Sequence, residues 1–162
     1  MKTLFLIRHA KSDWTFNLPD FERPLNARGL RNAPMMAERL RQYKTTPDVL
    51  VSSPAKRALT TAQFFAQTLK IPANQIQLEE HIYEADVHTL LKLINTFDNH
   101  TSTVALFGHN PGISLLAAYL CPEFHDQLPT CAMVHLAFET DNWAEISGDS
   151  AHLKWFTYPK LV

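Results

Sequence analysis

Leu4-Phe5-Leu6-Ile7-Arg8-His9 decides the fold: four consecutive apolar residues, closed at once by an arginine and a histidine. An apolar run without alternation suits a strand covered on both faces. The same grammar recurs at Val49–Val51, followed by Ser52-Ser53-Pro54-Ala55-Lys56-Arg57, and at Thr103–Phe107, followed by Gly108-His109-Asn110-Pro111-Gly112. Helix-like segments separate these runs. Residues 27–43 read as a helix with Asn26 as N-cap, and Gly29 and Pro34 predict an irregular or kinked first half. Ser53 and Pro54 predict the cap and first position of a second helix, whose buried face is Ala58, Leu59, Ala62, Phe65, Ala66 and Leu69.

Farther along, Ile76 and Leu78 suggest a short extended segment. Asp86 predicts the cap of a helix carrying Val87, Leu90, Leu91, Ile94 and Phe97 at three- to four-residue steps. Asn110-Pro111 predicts the start of a strongly apolar helix over 113–120. Two more strands, over 131–138 and 152–156, are separated by too few helix-like residues for a crossover and predict an antiparallel edge. The alternation implies an α/β fold, a three-layer α/β/α sandwich with a mostly parallel central sheet. No repeat or linker interrupts residues 1–162, which are expected to form one domain.

Composition narrows the function classes. Sixteen acidic against 15 basic residues, with 46% apolar, give an ordinary globular balance and no electrostatic footprint for nucleic acid or an anionic membrane. Attraction for an anion must therefore be local. The apolar run at the N-terminus is too short for a secretory h-region, and no stretch reaches the ~18 apolar residues of a membrane span. Cys121 and Cys131 have neither zinc-type spacing nor the density of a disulfide scaffold, so reduced thiols and a cytoplasmic location are expected. No His-Glu-x-x-His cluster points to zinc, and neither a metal nor a cofactor is expected.

The three buried runs end in residues suited to phosphate. In open α/β sheets, ligands bind beyond the carboxyl ends of the strands, so all three segments fall on one edge. Helix N-termini there favour an anion, and Arg8 and Arg57 add forked donors. His9 and His109 complete what a covalent phosphoryl-transfer site needs, one imidazole to attack phosphorus and the other to donate to its equatorial oxygens. Taken singly, each segment has a plain structural explanation: a packed histidine, a cap, a turn. Their coincidence on one edge carries the functional reading.

Arg8-His9-Ala10, Arg23-Pro24-Leu25-Asn26-Ala27-Arg28-Gly29, Ser52-Ser53-Pro54-Ala55-Lys56-Arg57-Ala58 and Gly108-His109-Asn110-Pro111-Gly112 resemble, in order and spacing, the motifs of the histidine phosphatase (phosphoglycerate mutase-like) superfamily. The set is similar to its short SixA-type phosphohistidine phosphatase branch. That resemblance implies His9 as the phosphorylated nucleophile, with Arg8, Arg57 and His109 forming the phosphate pocket. Ser12, which could instead only shape the loop, and Asn110 are further candidate phosphate ligands. It also implies a phosphohistidine carrier as partner, such as a phosphotransfer domain of a bacterial signalling relay. Two departures separate the chain from the mutases. Thr15 stands where they usually carry asparagine, and only about fifty residues separate Arg57 from His109, without the long insertions of larger relatives. A shallow site follows, better suited to a protein-borne phosphate than to a sugar phosphate.

Glu84 falls in the loop where larger relatives keep an acidic residue and is the candidate proton donor, while Asp86 is explained as a cap. Asp20, Glu22, Arg23 and Arg28 read as structural ion pairs or turn residues. Two rivals stand beside the phosphohistidine phosphatase: a broad small-molecule phosphomonoesterase, and a phosphate-binding module without turnover.

Overall fold

A computed structural model describes residues 1–162. Six strands form one sheet: β1 (Lys2–Arg8), β2 (Val49–Ser52), β3 (Ile76–Leu78), β4 (Thr103–Gly108), β5 (Met133–Phe138) and β6 (Ala151–Thr157), in the spatial order β3-β2-β4-β1-β5-β6. β1, β2, β3 and β4 are mutually parallel. β5 runs antiparallel to β1, and β6 antiparallel to β5. The expected sandwich with an antiparallel edge is therefore the observed architecture.

The apolar runs are continuous because each strand serves two cores at once. Leu4 and Leu6 of β1 join Val51, Val104, Leu106, Val134 and Leu136 on one face. Phe5 and Ile7 join Leu50, Ala105, Phe107 and Met133 on the other. The period of two along a strand makes this partition, and the helices cover both faces. α1 (Ala27–Gln42) and α2 (Lys56–Leu69) pack Met36, Leu40, Phe65 and Leu69 into the second core. α3 (Val87–Ile94) and α4 (Gly112–Leu120) pack Leu90, Ile94, Ile113 and Leu116 into the first. Cys121 and Cys131 are unpaired and buried, and no helix is long and apolar enough to cross a membrane.

Asn26 and Asp86 cap α1 and α3 as expected, accepting the Gly29 and Thr89 backbone N–H groups, each at 2.9 Å. Three local expectations are corrected. α1 is continuous through Gly29 and Pro34; the proline removes a bond to the carbonyl of Leu30, which lies on the exposed side of the helix. Ser53 does not cap α2, which starts at Lys56 with no side-chain cap. Its hydroxyl instead accepts the Ala55 N–H at 3.2 Å, tightening the turn before the helix. Asn110 does not cap α4 either, whose first residue is Gly112; its side chain is engaged elsewhere.

Candidate active site

The carboxyl ends of β1, β4 and β2 lie side by side because β4 is threaded between the other two. Arg8 is in register with Gly108, and Ser52 with Phe107. Backbone bonds then lace the residues just past the strand ends. The His9 N–H donates to the Gly108 carbonyl at 3.1 Å, and the Ser53 N–H to the Phe107 carbonyl at 3.1 Å. His9 and His109 are brought together by this lacing, with ring centroids 5.2 Å apart.

His9 is buried, and its Nδ1 lies 2.7 Å from the Ala10 carbonyl oxygen. A carbonyl only accepts, so the proton is on Nδ1 and the Nε2 lone pair is bare. The neighbouring residue is fixed in turn: the Ala10 N–H donates to Thr61 Oγ1 at 3.0 Å, and that hydroxyl donates to the Arg57 carbonyl at 2.7 Å. Thr61, one helical turn past Arg57, thus ties the first turn of α2 to the segment carrying His9. Burial, aided by the charges of His109, Arg57 and Arg8, depresses His9 to about 3. Burial, followed by the Arg57 charge, depresses His109 to about 4. Both imidazoles are therefore neutral at pH 7.

A pH dependence follows. The unfolded chain takes up protons below the ordinary imidazole value of about 6.5, which folded His9 and His109 do not do until about 3 and 4. Stability conferred by keeping them neutral is complete above about pH 6.5 and declines as pH falls from there toward 4. His9 alone contributes a slope of about 1.4 kcal/mol per pH unit. NMR of the His9 ring protons should show no titration between pH 8 and 5; a midpoint near 6.5 would contradict the geometry.

Four buried side-chain nitrogens in the whole chain lack a hydrogen-bond partner, and three of them are here: Arg8 Nε, Arg57 Nε and His109 Nδ1. Buried polar groups are almost always paired, so three unpartnered nitrogens in the residues that meet at this sheet edge stand out as groups available to an anion. Other nitrogens of these groups are engaged by the protein. Arg8 Nη1 donates to the Leu128 carbonyl at 3.0 Å. Arg57 Nη1 and Nη2 donate to the main-chain carbonyl and Oδ2 of Asp20, at 2.7 and 3.0 Å. His109 Nε2 lies 2.8 Å from Ser53 Oγ. That hydroxyl accepts from Ala55 and can give its own proton to Nε2; in that tautomer Nδ1 carries the ring proton and is a donor. No group of three His, Cys, Asp or Glu side chains is placed to share a metal ion.

The remaining candidates fall differently. Ser12 is buried, and its hydroxyl accepts from Arg23 Nη1. Asn110, expected at the phosphate, instead braces the loop that holds Arg8: its Nδ2 donates to the Leu128 carbonyl at 2.9 Å, and its Oδ1 accepts from Ser114 at 2.6 Å. Glu84 is exposed, has a φ of 58° and makes no side-chain hydrogen bond; its charge acts on the neighbouring Tyr83. Four participants lie outside the sequence-based candidates. Ser53 has the signature of a cap, and Asp20 that of a local pair, which it does form with Arg23, although it also reaches Arg57. Tyr83, whose ring meets His109 edge-on at 5.5 Å, carries no motif. For Thr61 a signal exists, since its i+4 spacing from Arg57 puts both on one helical face.

Three motif segments meeting at one sheet edge, with two arginines and two histidines among them, are the features of a phosphoryl-handling enzyme on an α/β sandwich. Residues 4–96 match the histidine phosphatase superfamily, branch 1, and the chain belongs to that superfamily. Within it the fold is that of the SixA structures. An Agrobacterium tumefaciens protein assigned as the phosphohistidine phosphatase SixA superposes with a TM-score of 0.80 at 25% identity, covering 98% of both chains. An uncharacterised Mycobacterium tuberculosis protein is 29% identical over 165 residues, which cover 95% of this chain and 100% of that one. The fold also extends to a mycobacterial glucosyl-3-phosphoglycerate phosphatase, with a TM-score of 0.68 at 15% identity over 94% and 97% of the two chains.

Proposed function

We propose that this protein removes phosphate from phosphohistidine on a protein partner through a covalent intermediate on His9. The observation that carries the reading is the trio of unpartnered nitrogens, Arg8 Nε, Arg57 Nε and His109 Nδ1, in the residues that the sheet edge gathers with a neutral His9 whose proton is on Nδ1. Nε2 attacks phosphorus in line, the P–N bond to the substrate imidazole breaks, and its electron pair leaves on that nitrogen. The arginines and His109 hold the three equatorial oxygens while charge redistributes. Water then attacks phosphorylated His9, releasing inorganic phosphate and restoring the imidazole. The guanidinium groups supply the charge stabilisation, so turnover should survive a chelator.

Two features support a protein-borne phosphohistidine over a small phosphomonoester. Cavities of about 200–340 Å³ dent the surface, but their walls are built by other residues, away from Arg8, His9, Arg57 and His109. The loop between β1 and α1 exposes Trp14, Phe16, Leu18 and Phe21, contact surface of the kind a macromolecule uses. The second feature is the unattached Glu84. Imidazole protonated on its other nitrogen leaves far more readily than an alkoxide, so cleaving P–N asks less of a general acid.

A substrate panel tests this. Wild type and Glu84→Gln are assayed on a phosphohistidine-carrying protein domain, phosphoserine and sugar phosphates. The expected result is at least about a hundredfold preference in kcat/KM for the phosphohistidine domain, with Glu84→Gln within about threefold of wild type, where loss of a required acid would cost 10²–10⁴. Preference for a sugar phosphate would replace the reading with the small-molecule one. Absence of turnover on all substrates, with phosphate still bound, would leave a binding module.

A further inference from the structure

Asp20 lies on the long loop between β1 and α1, half exposed, where an ion pair normally contributes little. Its surroundings are not those of an ordinary surface pair. Its Oδ2 accepts from Arg57 Nη2 at 3.0 Å and from the Tyr83 hydroxyl at 2.5 Å. Its Oδ1 accepts from Arg23 Nε and Nη2 at 3.2 and 3.0 Å, and its main-chain carbonyl takes Arg57 Nη1 at 2.7 Å. Arg23, itself buried, continues to Ser12. One residue therefore gathers three side chains from three separate segments, and two of those side chains are almost wholly buried.

The consequence lies in which edge of Arg57 is left. Asp20 holds one N–H of each terminal nitrogen, and the nitrogen left with no partner at all is Nε, which is buried. A guanidinium can meet a phosphoryl group end-on or along its Nε side, and the two presentations place the charge differently. We infer that Asp20 is a positioning residue that grips the tip of Arg57 and so turns its Nε edge toward the phosphoryl group. Tyr83, whose hydroxyl proton is committed to the carboxylate, holds Asp20 in place rather than serving the substrate. This assignment rests on the reading of the site as a phosphate seat.

Loss of the grip has separable effects. Removing the carboxylate removes a repulsion toward bound phosphate and also frees the tip of Arg57 to swing, so ground-state affinity is pulled both ways. Turnover depends on the aim of the guanidinium as charge develops, where small misplacements are costly. Asp20→Asn should therefore lower kcat roughly ten- to hundredfold without weakening inhibition by inorganic phosphate. Asp20→Glu keeps the charge on a longer arm and should lower kcat comparably.

The readout that a structural role would not move is the Arg57 Nε–H resonance in ¹H–¹⁵N spectra, followed while inorganic phosphate is titrated into each full-length protein. In wild type the resonance should be sharp and shift with phosphate; in both variants it should be broadened or shift by less than half as much. Wild-type resonance behaviour with unchanged kcat in Asp20→Asn overturns the proposal. A wild-type kcat in Asp20→Glu overturns it too, because the role would then be one of charge and not of aim. Absence of turnover in wild type, with the Nε–H still answering to phosphate in wild type alone, would remove the enzymatic reading and leave the assignment of Asp20 standing.

Discussion

His9→Ala should reduce turnover by about 10⁴-fold or more, the scale on which a covalent nucleophile is lost, and should do so in a protein that remains folded. The main-chain bonds that place residue 9, from its N–H to Gly108 and from Cys131 to its carbonyl, do not involve the ring. The fold thus survives while the only bare imidazole nitrogen fixed by a backbone carbonyl disappears. Removal of the ring also abolishes the His9 contribution to acid sensitivity, so the variant should lose less stability than wild type between pH 6.5 and 4. The decisive measurement is an acid-quenched and base-quenched label. Wild type incubated with a ³²P phosphodonor should hold a base-stable, acid-labile phosphate, and His9→Ala none. Equal labelling of both proteins would sink His9 as the covalent site.

The largest expected loss of stability comes from a residue with no chemistry, Gly29. A Cβ there would lie 2.2 Å from the carbonyl oxygen of Lys11 and 3.0 Å from its nitrogen, and every atom it meets is backbone. That carbonyl already accepts the Asn26 N–H at 3.0 Å, at the entry to α1. Relief requires α1 to back away from the loop that follows His9, against the packing of Ala33, Met36, Ala37 and Leu40 in the core. Gly29→Ala should therefore cost about 2–4 kcal/mol, in the range of overpacking with forced backbone movement, and lower Tm by roughly 5–15 °C in a domain of this size. Gly148→Ala is the control. Its Cβ would meet the ring of Tyr119 at 2.9 Å, but Tyr119 is exposed and can turn aside, so the melting temperature should barely move. Equal melting of wild type and Gly29→Ala would show that the close approach is not required.

Gly29 also illustrates what the sequence could and could not disclose. The sheet was legible because burial on both faces writes itself as unbroken apolar runs, and β1, β2 and β4 are those runs. Arg8, His9, Arg57 and His109 were legible because they stand immediately past strand ends, where topology alone converges them. In the sequence Gly29 reads as a weakness in its own helix; its meaning lies in the backbone of Lys11, a segment of different sequence position passing against it. Asp20 failed for the same reason: its pairing with Arg23 is local, while its contacts with Arg57 and Tyr83 bridge 37 and 63 residues. Ser53 and Asn110 have ordinary capping chemistry, and only the positions of His109 and Leu128 show where that chemistry is directed. Glu84 shows the converse: a suitable residue type in a suitable loop, with no contact to recruit it.

The slotting of β4 between β1 and β2 has a further consequence for the order of events in a growing chain. The segment ending at His9 and the segment carrying Arg57 leave the ribosome early, but they share no strand edge until a strand made roughly fifty residues after β2 is wedged between them. Pairings that distant in sequence close slowly. A nascent chain stopped short of Thr103 therefore holds His9 and both arginines with no shared strand edge to gather them, and lacks His109. The edge that assembles all four is completed abruptly, with one late strand.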